Sequence, residues 1–473
     1  MMLKNAALAP NKIIDLKFEN GVIAAVGKNL SPAASEAIVD AEARVVLPGL
    51  HDHHLHFMAY AASLNSIDCS DPAFQSLSAL ASLLEPKAKE STAGLRAIGY
   101  HEGSDELIDR YWLDNISSHT PIRVQHRTGR LWIYNSAALA SLAKEKTKLP
   151  IEFPHGAERN EQGELSGRFY HVDDWLRQHS TRTTPDIALA SKTLASFGLT
   201  GFTDAGPDND SETWHLLKNA QRDGCLLQRV MMMGQRDLNF SSDAFMQLGA
   251  CKIYLKESAL PDYDELCGLI RQQHSRPRPV AFHCVTAAEL HYALAALSDC
   301  GVHHGDRIEH ASVCDDDAMD IIHSLGITVV SQPNFIAERG DRYLESVAID
   351  EQPLLYRARS FVDRGIAFAG STDAPFGNAN PWLCMQAAVQ RLTLKGEVIN
   401  TSEKLTSLQA LGLFLGDAKQ PGHSQRNLAK GEQADCCLLD CKWGELLNRD
   451  LLTPPEVSAT WIAGDLVFRR AFH

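Results

Sequence analysis

The sequence lacks what a membrane, nucleic-acid or disulfide-framework protein would need. No apolar run approaches the roughly 20 residues that span a bilayer, and charge interrupts the first stretch, MMLKNAALAPNKIIDLKFENG. That stretch has no continuous apolar segment of the secretory-leader kind, so a cytoplasmic location is expected. Positive charge is in deficit: 45 Lys and Arg face 59 Asp and Glu, a net charge of −14. An acidic chain with scattered charges offers no basic stripe to a phosphate backbone or an anionic membrane, and neither partner is expected. Cysteine is present, 11 in all, but no paired CxxC occurs, which excludes a zinc finger. An odd count without framework spacing reads as reduced thiols. Internal repeats and low-complexity tracts are missing as well, which excludes repeat arrays.

What remains is ordinary globular material, 44% apolar, enough for a sizeable core. The first segment alternates, Lys12–Phe18 and Val22–Gly27 around Asn20-Gly21, which is a strong hairpin pattern. Ala43–Leu47 reads as a strand stopped by Pro48-Gly49. The other end carries a strand at Ala434–Asp440 and a hairpin at Ala459–Val467 turning at Gly464. Between the ends, short apolar runs alternate with helical stretches. They are Leu199–Asp204, Leu227–Met233, Cys251–Leu255, Val280–His283, Arg307–His310, Thr328–Ser331 and Ile366–Ser371. With the run before His54 they make eight candidate parallel strands, and eight argue for a barrel. The expected architecture is α/β: a (β/α)₈ TIM-like barrel with a small β-sandwich built from both chain termini. Its parts are 1–47 and 426–473 for the sandwich and 48–425 for the barrel, with an insertion at about 60–190.

Chemistry concentrates at Pro48-Gly49-Leu50-His51-Asp52-His53-His54-Leu55-His56. Side chains at i and i+2 on a strand share a face, so an HxH pair can present two imidazoles to one metal. The segment offers two such pairs, His51/His53 and His54/His56, on opposite faces, and only one face can point into a barrel. An isolated HxH is as readily a polar loop. Here, however, His283 and His310 close two further candidate strands and Asp373 follows another. Barrel sites gather at those carboxyl ends. Asp373 also suits a helix N-cap in Ser371-Thr372-Asp373-Ala374-Pro375.

PGLHDHHLHF resembles the PGxxDxHxH strand of the amidohydrolase superfamily. VAFHCVT, DRIEHA, VVSQPNF and GSTDAPFG resemble the fifth- to eighth-strand motifs of amidohydrolase family 3, the branch related to N-substituted formamide deformylases and D-aminoacylases. The resemblance runs from about Asn20 to about Val467 and is weakest in the insertion. It implies that His54, His56, His283, His310 and Asp373 are metal ligands and that a lysine on the fourth strand is carboxylated between two metals. Lys252 and Lys256 are the candidates. The family position matches Lys252, whereas a strand-end argument favours Lys256, and Lys256-Glu257 departs from the family's Asp-Gly.

The resemblance thus implies a divalent metal, with zinc suited to the donors, as one or two ions, and an N6-carboxylysine. It also implies hydrolysis of a C–N bond in a small amide, formamide or cyclic amide, with Asp373 as general base and then acid. Ester hydrolysis, ring deamination and a silent barrel that binds or assembles stay open, as does homo-oligomerisation. Substrate contacts are expected from His126, Arg127 and Trp132, with an exposed salt-bridging loop as the alternative, and from Arg339 on the rim after the seventh strand. Cys284, beside His283, points away by period 2 and is expected to be packing.

Overall fold

The computed structural model describes residues 1–34, 36–70, 74, 76–91, 94–101, 107–144, 152–172, 175–176, 179, 185–448 and 453–471. They fall into two compact units, Met1–Tyr60 with Ile187–His473, and Ala61–Asp186.

The first unit holds an eight-stranded parallel sheet. Its strands are Leu50–Leu55, Leu199–Asp204, Arg229–Gly234, Met246–Tyr254, Val280–Cys284, Arg307–His310, Thr328–Ser331 and Phe368–Gly370, each paired with the next. The first, second and sixth are buried at every position. Helices cover the outside of such a sheet and side chains fill the inside, so these strands read as apolar runs rather than alternations. Helices between them start from side-chain caps, such as Asp210, Asp315, and Thr286 in a capping box with Glu289.

The eighth strand meets the first differently at its two ends. At the carboxyl end the chains bond directly: Asp373 N donates to His54 O at 2.9 Å and His56 N to Ala374 O at 2.8 Å. At the amino end Leu413-Phe414 stands between them, its carbonyls accepting Gly370 N at 3.0 Å and His51 N at 2.8 Å. The (β/α)₈ barrel is therefore closed at the mouth by backbone hydrogen bonds from residues just past the eighth strand and, nearer the floor, by a two-residue wedge.

Two four-stranded sheets come from the chain ends. One contains Met2–Ala9, Lys12–Glu19, Val22–Gly27 and Ile38–Asp40; the other contains Val46–Pro48, Cys436–Leu439, Val457–Ile462 and Asp465–Arg469. Leu3, Leu16, Ile23, Leu438 and Trp461 share one core between them. Asn20 and Gly21 both take positive φ, 53° and 80°, as the tight hairpin requires. Arg229, opening the third barrel strand, clasps Asp435 through two nitrogens at 2.6 and 3.2 Å.

The Ala61–Asp186 unit is built on a six-stranded mixed sheet. Its core gathers Leu80 and Leu84 from helix Leu77–Glu90 with Ile122, Val124 and Ile133. No helix of the described residues is long and apolar enough to cross a membrane.

Candidate metal centre

The first strand sends its histidines to two faces. His51 Nε2 lies 3.0 Å from Thr203 Oγ1, and the His51 and His53 rings pack 4.8 Å apart. On the other face Asp52 accepts from Thr372 N at 3.1 Å and Thr372 Oγ1 at 2.5 Å. Burial pushes Asp52 up to about 7 against those donors. His54 shares its face, and His56 lies just past the strand.

His54 Nε2 and His56 Nε2 stand 3.4 and 3.3 Å from the same oxygen, Asp373 Oδ1. The ligand atoms of these residues all lie within 4.8 Å of one another, so the cluster can hold a metal ion. Ligands about 2.0–2.1 Å from a tetrahedral zinc stand roughly 3.4 Å apart, so the two contacts have the spacing of a shared cation. The His310 ring lies 4.9 Å from that of His54, and the His283 ring 4.5 Å from that of His310.

Asp373 has φ 55° and His310 φ 72°, the left-handed region. Such strain in non-glycine residues gathers at functional sites. At His310 it breaks the alternation of the sixth strand, so that Glu309 and His310 both face the cluster. Asp373 is not a helix cap: the next helix, Pro381–Gln390, starts from Asn380.

Burial drives His54 down to about 3, with Lys252 adding to the effect. Burial alone would raise Asp373, but the imidazoles of His56, His54 and His310 outweigh it and hold the carboxyl well below its usual range. Lys252 is buried on the fourth strand, and burial lowers it to about 8. Lys256 lies beyond that strand, ahead of the turn Glu257–Ala259. The structure thus brings Lys252, rather than Lys256, into the electrostatic company of His54, His283, His310 and Asp373.

Arg339 lies on helix Asn334–Ser346, its guanidinium 3.7 Å from the Phe335 ring centre and its Nη2 2.6 Å from Phe376 O. The Phe376 ring meets His56 edge-on at 5.4 Å, so Arg339 braces the mouth. His126, Arg127 and Trp132 belong to the Ala61–Asp186 unit. There His126 Nδ1 lies 2.8 Å from Thr128 Oγ1, and Trp132 lies 5.4 Å under the Arg96 guanidinium. Cys284 is fully buried, its Sγ 3.6 Å from Glu289 O, and burial raises the thiol.

Sequence reasoning assigned no role to Glu309 or Gln332. Glu309 Oε2 lies 2.5 Å from His54 Nδ1, and Gln332 Oε1 lies 2.6 Å from His310 Nδ1. Period 2 puts Glu309 opposite His310, which hid it. Gln332 was visible only as the residue after the seventh strand.

A parallel eight-stranded barrel whose carboxyl ends collect imidazoles and a strained carboxylate defines the class of barrel proteins with a metal-type centre at the mouth. Residues 37–468 match the amidohydrolase family, and the chain belongs to it. It is 24% identical to an N-substituted formamide deformylase from Arthrobacter pascens, over 95% of this chain and 94% of that one. Its fold is that of uncharacterized metal-dependent hydrolases from Pyrococcus horikoshii OT3 and Pyrococcus furiosus. The first has a TM-score of 0.75 at 19% identity, covering 96% of this chain and 98% of that one. The second has a TM-score of 0.70 at 19% identity, covering 92% and 97%.

Proposed function

We propose that this chain hydrolyses a C–N bond in a small amide, formamide or cyclic amide, at a divalent metal centre held by His54, His56, His283, His310 and Asp373. What supports the reading is a set of buried atoms with nothing to bind. His54 Nε2, His310 Nε2, Asp373 Oδ1 and Lys252 Nζ have no hydrogen-bond partner among the described residues. Each such atom costs about 1–3 kcal/mol, so several in one cluster call for a ligand. Imidazole nitrogen with carboxylate oxygen suits zinc.

When bound, a divalent cation supplies Lewis acidity, which acidifies water and polarises a carbonyl. Asp373 Oδ1 takes a proton from the attacking water and delivers it to the leaving nitrogen. The surrounding imidazoles hold its carboxyl well below its usual range, so it is anionic, the form a general base needs. Lys252, lowered to about 8, has neutral amine near neutral pH. Its Nζ adds CO₂, forming an N–C bond and releasing a proton, and the resulting carbamate gives the site a further anionic ligand. Arg339 is proposed to contact the substrate at the rim.

The test is metal analysis of purified protein, followed by a screen of N-formyl, N-acyl and cyclic amides with zinc-, iron- or manganese-loaded enzyme. Metal-dependent release of an amine is expected. On the active compound, Asp373→Asn should keep most of the metal while kcat falls by about 10²–10⁴. Protein without stoichiometric metal, or an Asp373→Asn variant with wild-type turnover, would refute the reading.

A further inference from the structure

The proton-accepting partners of the imidazoles are not equivalent. Glu309 is fully buried, with Oε2 2.5 Å from His54 Nδ1. Its other oxygen accepts from Arg307 Nε, and Arg307 Nη2 reaches Oε2 at 3.2 Å and His53 O at 2.7 Å. Arg307 and Glu309 stand two apart on the sixth strand and so share a face. Together they lash that strand to the first one at the residue before His54. The carboxylate cannot rotate, because both of its oxygens are held.

His310 is held by the same atom but by a neutral group. Its Nδ1 lies 2.6 Å from Gln332 Oε1, while Gln332 Nε2 donates to Ser371 Oγ at 2.8 Å, which fixes the amide's orientation. In both rings an acceptor at Nδ1 keeps the proton there and turns the Nε2 lone pair toward the cluster. Of these two rings, only His54 meets a charged acceptor at Nδ1. A charged acceptor bonds more strongly than a neutral one and makes the imidazole a better donor to a metal.

We propose that Glu309, clamped by Arg307, is the positioning residue that fixes His54 as an Nε2 ligand and makes it a stronger imidazole donor than His310. Glu309 acts through His54 and touches none of the donor atoms itself. The inference rests on the metal-centre reading above but concerns a different residue and can fail separately.

The experiment compares wild type, Glu309→Gln and Glu309→Ala. Zinc affinity is read by competition with a chromophoric chelator, and ligand geometry from the visible absorption of the cobalt-substituted proteins. Far-ultraviolet circular dichroism checks that each variant is folded. Loss of an outer partner of this kind weakens metal binding by about 10–100-fold. Glu309→Ala should fall in that range with an altered cobalt band, and Glu309→Gln, which keeps the size and an acceptor oxygen but not the charge, should lie between it and wild type. A residue serving the fold alone would lower the melting temperature while leaving zinc affinity and the cobalt band unchanged. If both variants bind zinc within twofold of wild type with its spectrum, the proposal is overturned while the metal centre stands. If Glu309→Ala does not fold, the same criterion applied to Glu309→Gln decides. Wild type that binds no zinc overturns the metal-centre reading and this inference with it.

Discussion

Asp52 stands between His51 and His53, and its carboxylate is pinned under Thr372. That contact sets which imidazoles look inward: with Asp52 on the barrel side, alternation carries His54 the same way and sends His51 and His53 out. His51 is spent on Thr203, whereas His54 Nε2 is left for a ligand. The double variant His54→Ala/His56→Ala should therefore lose most bound metal while its fold persists. His51→Ala/His53→Ala removes two buried rings and should melt at lower temperature, yet bind metal near the wild-type stoichiometry. Metal analysis beside a thermal melt separates the two, and equal metal loss in both would invalidate the face assignment.

At the level of strands and turns, the barrel's last seam depends on close backbone approach. Gly422 has φ 77°, and a Cβ there would lie 2.3 Å from Phe368 N, at the start of the eighth strand. Gly431 has φ 92° but open space around it. Replacing each by alanine separates strain from clash. Gly431→Ala should cost about 1 kcal/mol, the strain alone, and Gly422→Ala at least about 2 kcal/mol more, because backbone must move; urea unfolding of both variants measures the difference. Such strands were legible in the sequence because burial on both faces writes them as short apolar runs: Leu199–Asp204, Arg307–His310 and Thr328–Ser331 have those limits in the structure too. The fourth strand was read from Cys251 but begins at Met246, since Gln247 and Gly249 interrupt the apolar run. Ala61–Asp186 stayed illegible as to fold, because its short strands join in a mixed sheet without a repeating βα unit. At the candidate site, residue types and strand ends were readable, but Glu309 was not. His310 turns in beside it only through a left-handed backbone, which no spacing reveals, and reading His310 as inward by alternation put Glu309 on the wrong face.

At the scale of the whole molecule, the core shared by the two terminal sheets contains none of the residues of the candidate site. Trp461 is fully buried in the core shared by the two terminal sheets. Trp461→Ala should destabilise by about 3–5 kcal/mol, seen as a lower melting temperature, while kcat per folded molecule stays at the wild-type value. A fall in kcat matching the loss of stability would show that the sandwich shapes the site. The seam between the first and eighth strands has a further consequence in time. Asp52 and Thr372 are 320 residues apart, and the floor of the seam waits for Leu413-Phe414. At roughly 5–20 residues per second, a ribosome needs on the order of half a minute to deliver the partner of a strand it has already released. Through that interval the nascent chain carries four histidines within Leu50–His56 and no carboxylate from Asp373 to complete a cage around an ion. On the proposed reading, a metal that needs the Asp373 carboxylate is bound only after the barrel closes and does not guide its closure.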